Sequence, residues 1–303
     1  MSLILIGAFA LASMAGRDAE GWRIDAWSDA VLLWPWRGPR LLAAFGSGAM
    51  LGCAGALMQR LTRNPMASPE MLGISPGAAI AVILAMMWFP RLNTGWVSIL
   101  AFAGAFAAVS TLVTISLRTG FTSERLLLTG IAIGSVSMAL CAMVLATGDP
   151  RSTLLLSWMA ESTYRITQAE AYVVVAMAAL VSLASLPLVR SLEILGLGEP
   201  GAKALGVALT PIRLAIVVLA AAATATLSVG PLSFVGLAGP HMARLFGFRR
   251  IAGHLLASAA FGGLVMMIAD WIGRTVLFPL EIPAGGVASL IGGPYVLWLM
   301  RRR

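Results

Sequence analysis

Apolar stretches as long as a bilayer is thick recur along this chain, and the short turns between them gather nearly all of its charge. About ten such stretches can be marked by their unbroken hydrophobicity, near 2–16, 39–60, 72–89, 96–117, 126–147, 169–189, 211–229, 232–246, 254–277 and 284–300. A helix of roughly 20 residues crosses about 30 Å of hydrocarbon. Lipid offers the backbone no hydrogen-bond partners, so a spanning chain must be helical or a closed barrel. The alternating polar and apolar residues of barrel strands are missing here. The expected class is therefore an all-α polytopic membrane protein of about ten transmembrane helices, read as one domain over 1–303. Charged residues at 11%, against about 25% in soluble domains, exclude a soluble globule of this length.

The sharpest interruption is Leu61 to Ala78, LTRNPMASPEMLGISPGA. Pro65, Pro69 and Pro76 each remove a backbone donor and push the preceding residue out of helix. The chain must turn and re-enter the membrane here. A second interruption, Glu193 to Thr210, is polar, and Glu199 to Gly206 predicts one or two short helices that start near Gly198 and stop at Gly206, where glycine tolerates the left-handed conformation of a helix end. Arg17 to Pro39 reads as a polar, tryptophan-rich loop, and Arg151 to Gln168 as an amphipathic helix lying on the membrane surface.

Charge fixes the expected orientation. One set of alternate connections holds Arg60, Arg63, Arg118, Arg125, Arg190, Lys203, Arg213, Arg244, Arg249, Arg250 and Arg301 to Arg303, against only four acids, Glu70, Glu124, Glu193 and Glu199. The remaining arginines, in the other set, face nine acids, counting Asp270. The positive-inside rule makes the first set cytoplasmic, with both termini inside. The net charge of +8 is thus spread between spans and does not mark a nucleic-acid partner. The run Ser2 to Gly16 lacks a basic leader and reads as a first helix that stays, at a start that was trimmed or that belongs to one half of a longer fused chain.

The spans are nearly empty of the ionisable groups that mark ion-coupled transport. Asp270 and Arg274 sit one helical turn apart, a spacing that is structural as readily as functional. Cys53 and Cys141 lie inside apolar helices as small buried residues, and His241 and His254 are too few for a metal site. No cofactor is expected. Lys203 is the only lysine, in Ala202-Lys203-Ala204, so no phosphate-binding GxxxxGK[ST] loop exists. The chain is therefore not read as an enzyme, and an ATP-driven process needs a separate ATPase subunit. Gly48 and Gly52, and again Gly130 and Gly134, have the spacing that lets helix backbones approach closely, within one bundle or between subunits.

Arg63-Asn64-Pro65-x-Ala67-x-Pro69-x-x-Leu72-Gly73-x-x-x-Gly77 resembles the turn after the second membrane helix of FecCD-type permeases, the membrane subunits of ABC importers for iron-siderophores, haem and vitamin B12. Five further stretches match: Arg37-Gly38-Pro39-Arg40, Leu195 to Val207, Gly230 to Arg244, Ala269-Asp270 to Arg274, and Glu281-Ile282-Pro283-Ala284-Gly285. Within the family the chain is most similar to the iron-hydroxamate permease halves. Glu124 departs from the small polar residues usual at its position. The resemblance implies two inverted-related halves, a bacterial inner-membrane location and a second permease subunit, as a homodimer or paired half. It further implies ABC ATPase subunits inside and a periplasmic substrate-binding protein outside. Arg37, Arg40 and Arg274 are expected to dock the binding protein. Thr122, Ser123 and Glu124, as a short loop with Arg63, Asn64 and Pro65, are expected at the cytoplasmic gate. Gly198, Glu199, Ala202, Lys203, Leu205 and Gly206 are expected to couple to the ATPase. The cargo is read as a ferric siderophore, with vitamin B12 or haem as the alternative and a secondary transporter as a more distant one.

Overall fold

The computed structural model describes residues 2–18, 21–24, 27–89, 94–120, 122–148, 163, 166–224 and 234–301. Its helices are α1 (Ser2–Met14), α2 (Trp27–Thr62), α3 (Ile74–Trp88), α4 (Thr94–Thr119), α5 (Ser123–Leu145), α6 (Gln168–Ser185), α7 (Val189–Leu195), α8 (Glu199–Ala204), α9 (Leu209–Thr224), α10 (Val235–Leu245), α11 (Ile251–Thr275) and α12 (Ala284–Arg301). Five stretches are long and apolar enough to cross a membrane, Leu33–Thr62, Ile99–Thr119, Ser123–Leu145, Gln168–Leu195 and Ile251–Thr275, and α3 and α9 are shorter apolar helices. Most of the amphipathic helix expected at 151–168 lies outside the described residues.

The bundle is built around α2. In its spanning window 89% of residues are buried, against 22% for α5 and for α6, whose leucines and valines face outward. Its partners are α11 above all, then α6 and α10. The reason is glycine. Gly48 and Gly52 lie directly against Gly262 and Ser258 of α11, and a Cβ on Gly48, Gly52 or Gly262 would overlap the facing backbone carbonyl. Gly55 meets the carbonyl of Gly236 on α10 in the same way. Between helices in lipid, attraction comes from packing at close range, which such contact maximises. Gly130 of α5 likewise abuts Leu72, and Gly134 abuts Gly73. Both glycine pairs therefore serve packing within the chain.

Two expectations near the N-terminus are corrected. Arg17 to Pro39 is not a loop: Ala15–Asp18 (β1) and Gly21–Ile24 (β2) pair antiparallel, and α2 begins already at Trp27. Helix continues through Pro35 and Pro39. These prolines lie one turn apart, so their missing donors fall on one face of the helix, a loss that membrane helices tolerate when neighbours re-satisfy the freed carbonyls. The 122–124 stretch is also less of a loop than expected. Thr122 is the N-cap of α5, its side chain accepting from the Arg125 amide, so Ser123 and Glu124 form the first helical turn. The turn after α2 does form where the prolines require it. Arg63 takes a left-handed φ of 53°, Pro69–Leu72 makes a 3₁₀ turn, and Gly73 (φ 71°) opens α3.

The close approach of α2 and α11 predicts that Gly52→Val destabilises the purified protein by about 1–3 kcal/mol through overpacking, lowering its melting temperature in detergent. Gly286→Ala, where an added Cβ meets nothing within 4 Å, leaves it unchanged.

Candidate functional site

The antiparallel pair α2 and α11 carries two polar constellations, one at each end. From Arg40 to Arg60 of α2 is about 30 Å at the helical rise, the thickness of a hydrocarbon core.

At the first end Arg40 donates through Nη1 to both carboxylate oxygens of Glu281, each at 3.0 Å, and through Nη2 to Asp270 Oδ1 at 3.3 Å. Asp270, 1% exposed, also accepts a short hydrogen bond from the Thr163 hydroxyl and lies 3.8 Å from Arg274 Nε. Around this core the N-terminal hairpin is tied down. Arg37 donates to the Ser13 carbonyl at 2.8 Å, Trp271 to Ala15 at 2.9 Å and Arg17 to Val276 at 3.0 Å, while Arg274 donates to Ala12. The three arginines expected to dock a binding protein are thus gathered at one end. Arg40 and Arg274 are mostly buried and spend their charge on Asp270 and Glu281, whereas Glu281 keeps 34% of its side chain exposed at the rim. Thr163 and Glu281 went unnoticed as partners in the sequence. A signal was present: this end holds nearly balanced arginines and acids, which is what internal pairing requires.

At the second end the expected gate and coupling residues meet. Ser123 donates to the Leu61 carbonyl at 2.9 Å, which fastens the start of α5 to the end of α2. Asn64 Oδ1 accepts from the Met66 amide at 2.9 Å and holds the turn that brings in Pro65. Glu124 is exposed. The Arg63 side chain reaches the coupling stretch: a Cβ on Gly198 would lie 3.2 Å from Arg63 Nη1. Gly198 itself (φ 94°) caps α8.

The local sequence explains α8. Pro200 suits a first helical turn, where no amide donor is needed. Glu199 pairs with the buried Arg213 of α9, and Ala202 is buried. The helix ends as the Val207 and Gly206 amides bond back to Ala202 and Lys203, with Gly206 at φ 76°. Lys203 and Gly206 face outward, and Leu197 and Leu205 stand 69% and 61% exposed on either side of the helix. Two bare leucines among arginines, on a helix pinned from behind, make a surface suited to a protein partner.

Cys53 and Cys141 are free and buried, and Cys53 lies 3.6 Å from the Ser185 hydroxyl. Among the described residues no group of three His, Cys, Asp or Glu is placed to hold a metal ion.

Comparison with known proteins agrees with this architecture. The profile of the FecCD transport family matches residues 3–302. The iron(3+)-hydroxamate import system permease protein FhuB of Escherichia coli is 46% identical over 99% of this chain and 46% of its own length. The chain thus spans about half the length of the FhuB proteins it matches. The vitamin B12 import system permease protein BtuC of Photorhabdus laumondii is 36% identical over 90% of this chain and 82% of its own. A solved transporter of the metal-chelate ABC type, in an inward-facing conformation, superposes with a TM-score of 0.87 at 23% identity, covering 100% of this chain and 97% of that one.

The buried ionic cluster yields a graded expectation. Asp270→Ala strands two mostly buried guanidinium groups and should cost about 3–5 kcal/mol, whereas Glu281→Ala, at the exposed rim, should cost about 1 kcal/mol or less. Thermal unfolding of the purified variants in detergent measures the difference.

Proposed function

The chain belongs to the FecCD transport family, and on that premise we propose that it is the membrane-spanning permease portion of an ATP-driven importer for ferric siderophore complexes of the hydroxamate class. The observation that carries this reading is the pinned helix α8, with Leu197 and Leu205 bare and Gly198 backed by Arg63 of the turn after α2. A chain with no phosphate-binding loop must receive the work of ATP hydrolysis through such a contact. An ATPase subunit seated on α8 moves Gly198, and Arg63 passes that displacement to the Arg63-Asn64-Pro65 turn. The Ser123 bond to Leu61 carries it on to Thr122, Ser123 and Glu124 at the start of α5. A gate built on helix ends can shift without unfolding a span.

The rest of the assembly follows from the same premise. Two ATPase subunits bind the arginine-rich end, which lies in the cytoplasm by the positive-inside rule, with both ends of the chain on that side of a bacterial inner membrane. A periplasmic binding protein docks at the opposite end, where Arg37, Arg40 and Arg274 set its register. Arg40 and Arg274 act there by holding the rim in shape, and Glu281 and Arg37 meet the partner. Residues 1–303 form one permease domain, since α2 packs against α1, α5, α6, α7, α9, α10 and α11, and α3 and α4 join the same bundle through α5 and α9. A second permease unit completes the pathway. A FhuB relative of which this chain covers 46% has room for one in the same polypeptide.

The hydroxamate assignment rests on 46% identity to FhuB, against 36% for BtuC. Vitamin B12 or haem is the alternative cargo.

The test is uptake of radiolabelled iron into proteoliposomes holding the complete permease, its ATPase and binding protein. Ferric hydroxamate should enter in an ATP-dependent way, and ferric citrate and cobalamin should not. Preferred uptake of cobalamin overturns the cargo, and uptake without ATPase overturns the mechanism. In the same system Gly206→Val forces a left-handed φ on a β-branched residue, a strain of about 1–3 kcal/mol. Uptake should fall several-fold, through weaker ATPase binding or through ATP hydrolysis uncoupled from transport. At the opposite end Arg37→Glu should weaken binding-protein affinity in a salt-dependent way, and unchanged affinity at low salt would count against docking there.

A further inference from the structure

A cavity of about 560 Å³ opens at the arginine-rich end, between the end of α2, the turn at Pro65, Gly196 after α7 and the start of α11. Arg60, Arg63, Arg244 and Arg249 line it, together with Gln59 and His254, and no acid among the described residues does. Glu193 and Glu199, each three residues from Gly196, lie outside the lining, Glu193 exposed and Glu199 paired with Arg213. Four guanidinium groups around one space repel each other. The carbonyl end of α2 offers only about half a negative charge in compensation, so the described lining is net positive.

The buried polar groups point the same way. Gln59 is 6% exposed, and its carbonyl accepts from Arg244 Nη1 at 2.7 Å. Its amide nitrogen, a donor only, has no partner among the described residues. His254 is 4% exposed and its ring bonds to the Phe248 backbone, while among the described residues its Nδ1 makes no close hydrogen bond. A buried donor without an acceptor costs about 1–3 kcal/mol, which a bound oxyanion would recover. The first turn of α11 adds a partial positive charge, since its N-cap residue Arg250 provides no side-chain cap.

We propose that this cavity binds a phosphate ester, held by Arg60, Arg63, Arg244 and Arg249 and hydrogen-bonded by Gln59 and His254. A guanidinium fork matches phosphate oxygens in pairs, and the volume suits a headgroup-sized ligand. The cavity lies at the level where α2 leaves the hydrocarbon. An anionic lipid headgroup and a free phosphate compound are therefore the two sources of the same chemistry. The cavity shares Arg63 and Pro65 with the proposed coupling path. A ligand here would brace Arg63, whose side chain also rests on Gly198.

The experiment uses the complete permease in two arms. In the first, thermal stability is followed in nanodiscs of phosphatidylcholine with increasing phosphatidylglycerol. In the second, the detergent-solubilised protein is titrated with inorganic phosphate and pyrophosphate. Saturable stabilisation in the first arm alone assigns a lipid headgroup, and saturation in the second assigns a soluble phosphate. The double variant Arg63→Gln, Arg249→Gln alters two exposed side chains and should weaken the effective arm about tenfold. Gln59→Leu, which removes the buried donor, should weaken it as well. Absence of saturation in both arms overturns the site. So does equal affinity in the arginine variants, or cross-linking that finds an acidic segment of an ATPase subunit in the cavity of the assembled transporter.

Discussion

The bundle is organised by the close approach of two backbones. Where α2 passes α11, Gly48 and Gly52 leave no space for a Cβ against Gly262 and Ser258. In lipid no hydrophobic force drives one helix onto another, so short-range packing has to supply the adhesion. That contact makes α2 the most enclosed of the five described spans. It also decides what lies at either membrane face. Because the two helices are antiparallel, Arg40 comes to Asp270 at one end while Gln59 and Arg60 come to His254 at the other. Larger residues at these glycines would separate the axes and open both constellations together.

The two ends use their arginines differently. At one, each buried guanidinium is matched by a carboxylate, and the cluster locks the hairpin, α2, α11 and the loop holding Glu281 into one piece. A buried pair of this kind adds little net stability over an apolar one, but losing one partner is costly, so its effect is to hold a shape. At the other end arginines gather around a cavity that no acid among the described residues lines, beside a short helix flanked by bare leucines. The first arrangement suits a rigid docking rim, the second a surface that receives partners and ligands.

Much of this was legible in the sequence, and the failures have physical causes. The spans were readable because lipid imposes long apolar runs. The turn after α2 was readable because Pro65 and Pro69 exclude a continuous helix, and the end of α8 because Gly206 suits a left-handed residue. The start of α2 was misread because Pro35 and Pro39 are breakers in isolation, and only packing against neighbours shows that the helix carries them. The β-hairpin at Ala15–Asp18 and Gly21–Ile24 left no trace, since eight residues of mixed polarity give no period to read. Glu199 with Arg213, Ser123 with Leu61 and Gln59 with Arg244 are contacts between distant segments. One-dimensional spacing does not encode such pairings, although the charge balance of each end showed where pairing was needed.

The proposed coupling requires a rigid α2–α11 pair and a movable rim, in which α8 and the turn after α2 shift as one unit through Arg63 and Gly198. Hydrogen exchange on the complete transporter, with and without ATP, tests it most directly. The account predicts that amides near Gly48 to Gly55 and Ser258 to Gly262 stay protected in both states, while those at 61–73 and 198–206 change protection together. Loss of protection along the glycine contact, or a change at 198–206 that leaves 61–73 untouched, would contradict it.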